Sequence, residues 1–210
     1  MFRQLLKSIK KHIKYNFLFY FILSIIFILG TILGPLVVKK FSSTVQKTVL
    51  KLSHPYFKNV YLGEYDGLSI LKTSFFNNVL IVILIGVLGL INVGIIFIPM
   101  IVFIKSIFIG FSVSILVYKF GIRGFLASLL GIYPQNLFII IGLIGAGAIA
   151  MTMSSSLTNL FRNKSTRNPN FNIQEYIVLI STFTTITLVG GLIEGILSPI
   201  IMRLIINQFI

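Results

Sequence analysis

The sequence contains no cysteine, no tryptophan, two histidines and four acidic residues, Glu64, Asp66, Glu175 and Glu194. Lack of cysteine excludes disulfides, thiolate nucleophiles and Cys-based metal sites. Lack of tryptophan leaves tyrosine to supply any aromatic belt at a membrane interface. His12 and His54 stand too far apart in the expected topology to share a metal, and a single acid, Glu194, lies deep in an apolar run. No stretch fits a phosphate loop, a zinc site or a nucleophile elbow. The chain is therefore read as a non-enzyme without a cofactor.

Charge of either sign is scarce, at 10% of 210 residues, where a soluble domain carries roughly 25%. Hydrophobic residues make up 56% and the mean hydropathy is +1.01. A chain of this size cannot hide so much apolar surface in its own core. The solvent it is written for is lipid. The fold expected is an all-α, polytopic integral membrane helix bundle: one membrane domain over residues 1–210, with about five transmembrane helices and a short re-entrant or interfacial segment. What charge remains is basic, 18 Lys+Arg against 4 Asp+Glu. These residues sit mostly at the ends of apolar runs, so anionic lipids and the positive-inside rule account for them and nucleic acid is not expected as a partner.

Residues 1–15 form a basic start with Arg3, Lys7, Lys10, Lys11 and Lys14. The apolar run from Phe17 to Val38 is longer than a signal-peptide h-region and has no small-residue cleavage motif after it, so it reads as a retained first span with a cytoplasmic N-terminus. Gly34-Pro35 should loosen its last turn. Residues 39–72 form the sizeable extracytoplasmic region, where Phe41, Val45, Val49 and Leu52 recur at helical spacing as an amphipathic surface helix. Tyr56, Phe57, Tyr61 and Tyr65 follow in an interfacial loop. Further spans are expected over about Ser74–Ile91, Ile96–Tyr118, Leu137–Leu157 and Ile173–Leu197, the last opened by an Asn172-x-x-Glu175 capping box and broken by Ser198-Pro199. Residues 119–133 are too short to cross alone, and 159–172 form a cytoplasmic turn.

Three spans carry small residues every fourth position: Ser106, Gly110 and Ser114; Gly142, Ala146, Ala150 and Ser154; and Thr187, Gly191 and Gly195. That period keeps them on one helix face, where backbones approach closely in lipid. They are read as the bundle interior, with a homo-oligomer seam as the alternative use.

Lys105 and Glu194 are ionisable groups inside apolar runs, where a charge costs at least about 2.5 to 3.5 kcal/mol. Depth counted along each span, roughly 14 Å for Lys105 and roughly 31 Å for Glu194, argues against pairing them. Glu194 is instead expected near the outer surface as an ion pair with Arg123 or Lys119. Pro134 suits a helix start, and the amides of Gln135 and Asn136 can satisfy backbone groups left over by the short segment before them.

Taken in order, Ser74-Phe75-Phe76-Asn77-Asn78, Phe103-Ile104-Lys105-Ser106 with Gly110-Phe111, Gly121 with Gly124-Phe125-Leu126, Tyr133-Pro134-Gln135-Asn136-Leu137, and Glu194-Gly195-Ile196-Leu197-Ser198-Pro199 with Arg203 resemble the stage II sporulation protein M family. Lys-Gly often stands in that family where this chain has Lys105-Ser106. The resemblance implies a membrane scaffold of endospore formation in the septal and engulfing membrane of the mother cell. It also implies two partners, stage II sporulation proteins P and D, which cut peptidoglycan. Phe41, Tyr56, Phe57, Tyr61 and Tyr65 are the candidate partner contacts. The alternative from another class is the permease subunit of a transporter, with Lys105 on a substrate path.

Overall fold

The computed structural model describes residues 2–40, 66–161 and 173–209. Seven helices run through them: α1 (Phe2–Tyr15), α2 (Phe17–Lys40), α3 (Gly67–Gly89), α4 (Gly94–Phe120), α5 (Ile122–Gly131), α6 (Tyr133–Phe161) and α7 (Ile173–Phe209). No strand occurs among the described residues. Five of the helices, α2, α3, α4, α6 and α7, are long and apolar enough to cross a membrane. Their outward faces carry large exposed side chains such as Phe21, Ile28, Ile32, Leu80, Ile83, Phe108 and Ile177, which suit lipid.

Helix boundaries follow local chemistry more closely than hydropathy. α3 opens at Gly67, seven residues before the first strongly apolar stretch, because Asp66 in an extended conformation accepts the Leu68 N–H at 3.1 Å and caps the helix. α2 continues through Pro35 to Lys40, and α7 continues through Ser198-Pro199 to Phe209, so the expected break there is not present. An internal proline removes one backbone bond, but a membrane helix tolerates it when its neighbours supply substitute contacts. The segment read as re-entrant or interfacial is α5, a ten-residue helix entered through Gly121, whose φ of 60° is a left-handed value that glycine adopts freely.

Close approaches at glycine fix the topology. Gly30 of α2 faces Ser106 of α4, and Gly34 faces Gly110 and Phe111, so α2 and α4 run parallel. Gly191 of α7 faces Ser74 and Phe75 of α3, Gly195 faces Leu71, and Gly86 faces Ile180, which makes α3 and α7 antiparallel. The α2 and α4 seam has a specific cause. Pro35 has no N–H, so the Thr31 carbonyl four residues earlier loses its helical donor, and Gly110 lets α4 close directly over that oxygen.

α6 is the central helix. Two thirds of its apolar window (67%) is buried, against 22 to 33% in the other four spans. Ala146, Ala148, Ile149 and Ala150 are fully enclosed among Leu23, Ile85, Ile98, Val102, Leu179 and Phe183 from the surrounding helices. Near its far end, Ser154 Oγ donates to Ile91 O (2.7 Å) and accepts from Ile95 N (3.0 Å), while Thr158 Oγ1 donates to Asn92 O (3.1 Å). These bonds pin the tight turn between α3 and α4. That turn, α1 and the start of α7 therefore share one end of the bundle. The end of α2, the start of α3, α5 and the end of α7 share the other.

Candidate functional site

The tight turn between α3 and α4 decides which polar groups meet. Asn78 lies 11 residues before Gly89 and Lys105 lies 11 residues after Gly94, so the two stand at the same depth. Lys105 Nζ donates to Asn78 Oδ1 at 2.9 Å, and Asn78 Nδ2 donates to Glu194 Oε2 at 2.8 Å. One amide thus turns its acceptor to the cation and its donor to the anion. Ser74 Oγ, one turn earlier on α3, also donates to Glu194 Oε2 and lies 3.3 Å from the Gly191 carbonyl; its single proton goes to the charged acceptor, which binds it more strongly. Asn78 Nδ2 additionally reaches Ser74 O at 2.9 Å.

The expectation that depth separates Lys105 from Glu194 is thereby corrected. α7 packs with Gly195 on Leu71 and Gly191 on Phe75, so the backbone of Glu194 lies beside residue 72, six residues or about 9 Å from the level of Asn78. Side chains lean toward the N-terminus of their helix, and for Glu194 that direction leads back to Asn78. The long acid and the long base close the remaining distance with the amide between them. Glu194 therefore engages Ser74 and Asn78 of α3, which takes the place of the ion pair expected with Arg123 or Lys119; the Lys119 side chain lies outside the described residues.

A partly open cleft of about 350 Å³ borders the cluster, lined by Ser69, Ile70, Thr73, Ser74, Asn77, Asn78, Lys105 and Glu194. Six of these eight belong to α3, where Ser69, Thr73 and Asn77 recur every fourth residue and are exposed. The polar stripe ends at Asn78. Beyond it α3 presents Val82 and Ile85, both fully buried in the core. The cleft therefore rises from the cluster toward the Gly67 end of the bundle and is closed toward the other.

A second polar set lies at the α5–α6 junction. Gln135, 2% exposed, donates to the Gly131 carbonyl, and Asn136 Nδ2 donates to Ile132 O at 2.8 Å, so both amides serve backbone groups at the end of α5. Gly142 sits against Thr187 and Phe183 of α7, Ala150 against Gly89 of α3, and Ser106 and Gly110 against α2, while Ser114 is half-buried. On α1, His12 is buried with Nδ1 3.0 Å from Tyr20 Oη and the rings edge to face. Loss of hydration pushes the imidazole from 6.5 down to about 4. Phe41, Tyr56, Phe57, Tyr61 and Tyr65 lie outside the described residues, as does Asn172 of the expected capping box. No group of three His, Asp or Glu side chains able to hold a metal is present among the described residues.

Comparison with sequence families matches residues 23–199 to Stage II sporulation protein M. The chain belongs to the stage II sporulation protein M family. The match takes in four spans, all of the first but residues 17–22, and every residue of the polar cluster. No curated protein and no solved structure shows a significant match.

Sequence reasoning noted Ser74, Asn77 and Asn78 but did not link them to Lys105 and Glu194. The signal that links them is the tight turn that Asn92 and Gly94 allow, which sets residues 78 and 105 level and which counting depth along each span leaves unused. Gly30 is not singled out by the sequence reading and Gly34 only as a weak point beside Pro35, although their spacing of four matches the small-residue ladder they face.

Proposed function

We propose that the protein is a non-enzymatic membrane scaffold of endospore formation that recruits and anchors peptidoglycan-hydrolysing partners at the septal and engulfing membrane. The observation that carries the proposal is membership of the sporulation family over residues 23–199. The architecture supports it. The intramembrane charges of Lys105 and Glu194 are tied together through the Asn78 amide, and close glycine contacts hold the helices together as a rigid support. On this reading the N-terminus is cytoplasmic, residues 39–72 face the cell wall, and stage II sporulation proteins P and D are the partners.

A second reading, the permease subunit of a transporter, is favoured by the cleft at Lys105. Against it stands closure of that cleft beyond Asn78 by Val82 and Ile85.

Tagged pull-down from membranes of sporulating cells separates the two. The scaffold reading requires recovery of peptidoglycan hydrolases; recovery of a nucleotide-binding ATPase in their place would replace it with the permease. Joint replacement of Phe41, Tyr56, Phe57, Tyr61 and Tyr65 by alanine is expected to abolish recruitment while insertion persists.

A further inference from the structure

The bonds inside the polar cluster leave specific valences over. Lys105 uses one of its three N–H donors, on Asn78, among the described residues. Glu194 receives both of its described bonds on Oε2, leaving Oε1 without one. Both side chains are half-buried and border the same cleft, whose wall toward the Gly67 end is the exposed polar stripe Ser69, Thr73 and Asn77. Hydroxyl and amide groups in that position are costly against lipid and well suited to water or a polar ligand.

Electrostatics selects the class of ligand. A lone anion drawn to Lys105 meets the charge of Glu194, and a lone cation drawn to Glu194 meets that of Lys105. A ligand carrying both charges satisfies both. The bridge between the two side chains, bonds of 2.9 and 2.8 Å on either side of one amide group, keeps the charges within the length of a small zwitterion. We propose that this cleft is a binding site for a zwitterionic group with a primary ammonium and an anionic oxygen group, the ammonium donating to Glu194 Oε1 and the anionic oxygens accepting from Lys105. The Asn77 amide and Thr73 hydroxyl at the mouth supply neutral contacts. Closure of the cleft beyond Asn78 makes this a receptor site entered from one side. The inference does not depend on the scaffold reading.

Such a group can come from a phosphoethanolamine lipid headgroup or from a soluble zwitterion, and the test separates them. The full chain is reconstituted in phosphatidylglycerol nanodiscs and titrated with O-phosphoethanolamine, phosphocholine, inorganic phosphate and ethylamine, with the thermal midpoint followed. In parallel, discs containing phosphatidylethanolamine are compared with discs containing phosphatidylcholine. A saturable rise with free phosphoethanolamine, at least tenfold weaker with phosphocholine, supports a soluble ligand. A rise confined to phosphatidylethanolamine discs supports a lipid headgroup. No rise in either arm, or equal responses to phosphocholine, phosphate or ethylamine, overturns the site. Glu194→Gln is expected to erase the preference for ethanolamine over choline. Asn77→Leu, at a residue without a described bond, is expected to weaken binding at least tenfold with an unchanged midpoint in the absence of ligand; wild-type affinity in this variant also overturns the site.

Discussion

Replacing Gly110 by alanine tests whether the seam between α2 and α4 is as close as the backbone geometry requires. A Cβ at this position would overlap the Thr31 carbonyl oxygen and lie 3.0 Å from Thr31 C and 3.1 Å from Pro35 Cδ. These are backbone and ring atoms, which cannot rotate aside, so the two helices have to separate. Overpacking of this kind costs roughly 1 to 3 kcal/mol. Gly191→Ala provides the internal control, because its Cβ would meet Phe75 Cα at 3.6 Å, an ordinary contact. Both changes put alanine in place of glycine inside a helix and share the same gain in propensity, about 0.5 to 1 kcal/mol. The difference between the variants therefore isolates the steric term. Unfolding titrations in mixed micelles should place Gly110→Ala about 1 to 3 kcal/mol below Gly191→Ala. Equal stabilities would refute the parallel seam and the role given to the Thr31 carbonyl.

Asn78→Leu removes the amide between Lys105 and Glu194 and should lower stability by about 1 to 3 kcal/mol in the same titration, whereas Asn77→Leu, one residue away, should leave it unchanged; equal effects would show that the amide does not bridge. His12 contributes a pH dependence whose sign is fixed. Its folded value, about 4, lies below the ordinary 6.5, so protons favour the undocked state, and the docking of α1 is fully stable above pH 6.5 and weakens as pH falls toward 4, by at most about 3 kcal/mol. Because the chain has no native cysteine, a single label at an introduced Lys10→Cys reports this motion directly. Release of α1 should occur on acidification and vanish in His12→Phe; identical pH profiles for the two proteins would exclude histidine as the cause.

Long apolar runs made the spans legible from sequence, since only length and continuity are needed to recognise a helix that crosses lipid. The start of α3 was missed because its signal is a single side-chain cap, Asp66, in a stretch that hydropathy reads as loop. The continuation of α7 past Pro199 was missed because proline reads as a stop in water, while a membrane helix has more ways to accommodate it. The constituents of the polar cluster were legible as polar residues out of place, but their association was not. Counting depth separately along each helix treats the helices as independent rods. The register between α3 and α7 is set by glycine contacts that no single-helix count contains.

Burial concentrated in α6 also bears on how the chain is made. α2 leaves the ribosome well before α4 supplies its parallel partner, and α2, α3 and α4 all precede the helix whose alanine face they enclose. Until then Gly30 and Gly34 of α2 lack the α4 backbone they face, Gly89 waits for Ala150 of α6, and Gly86 waits for Ile180 of α7. Assembly is thus a waiting process: the fourth span brings the face around which the earlier helices close, and the fifth seals it.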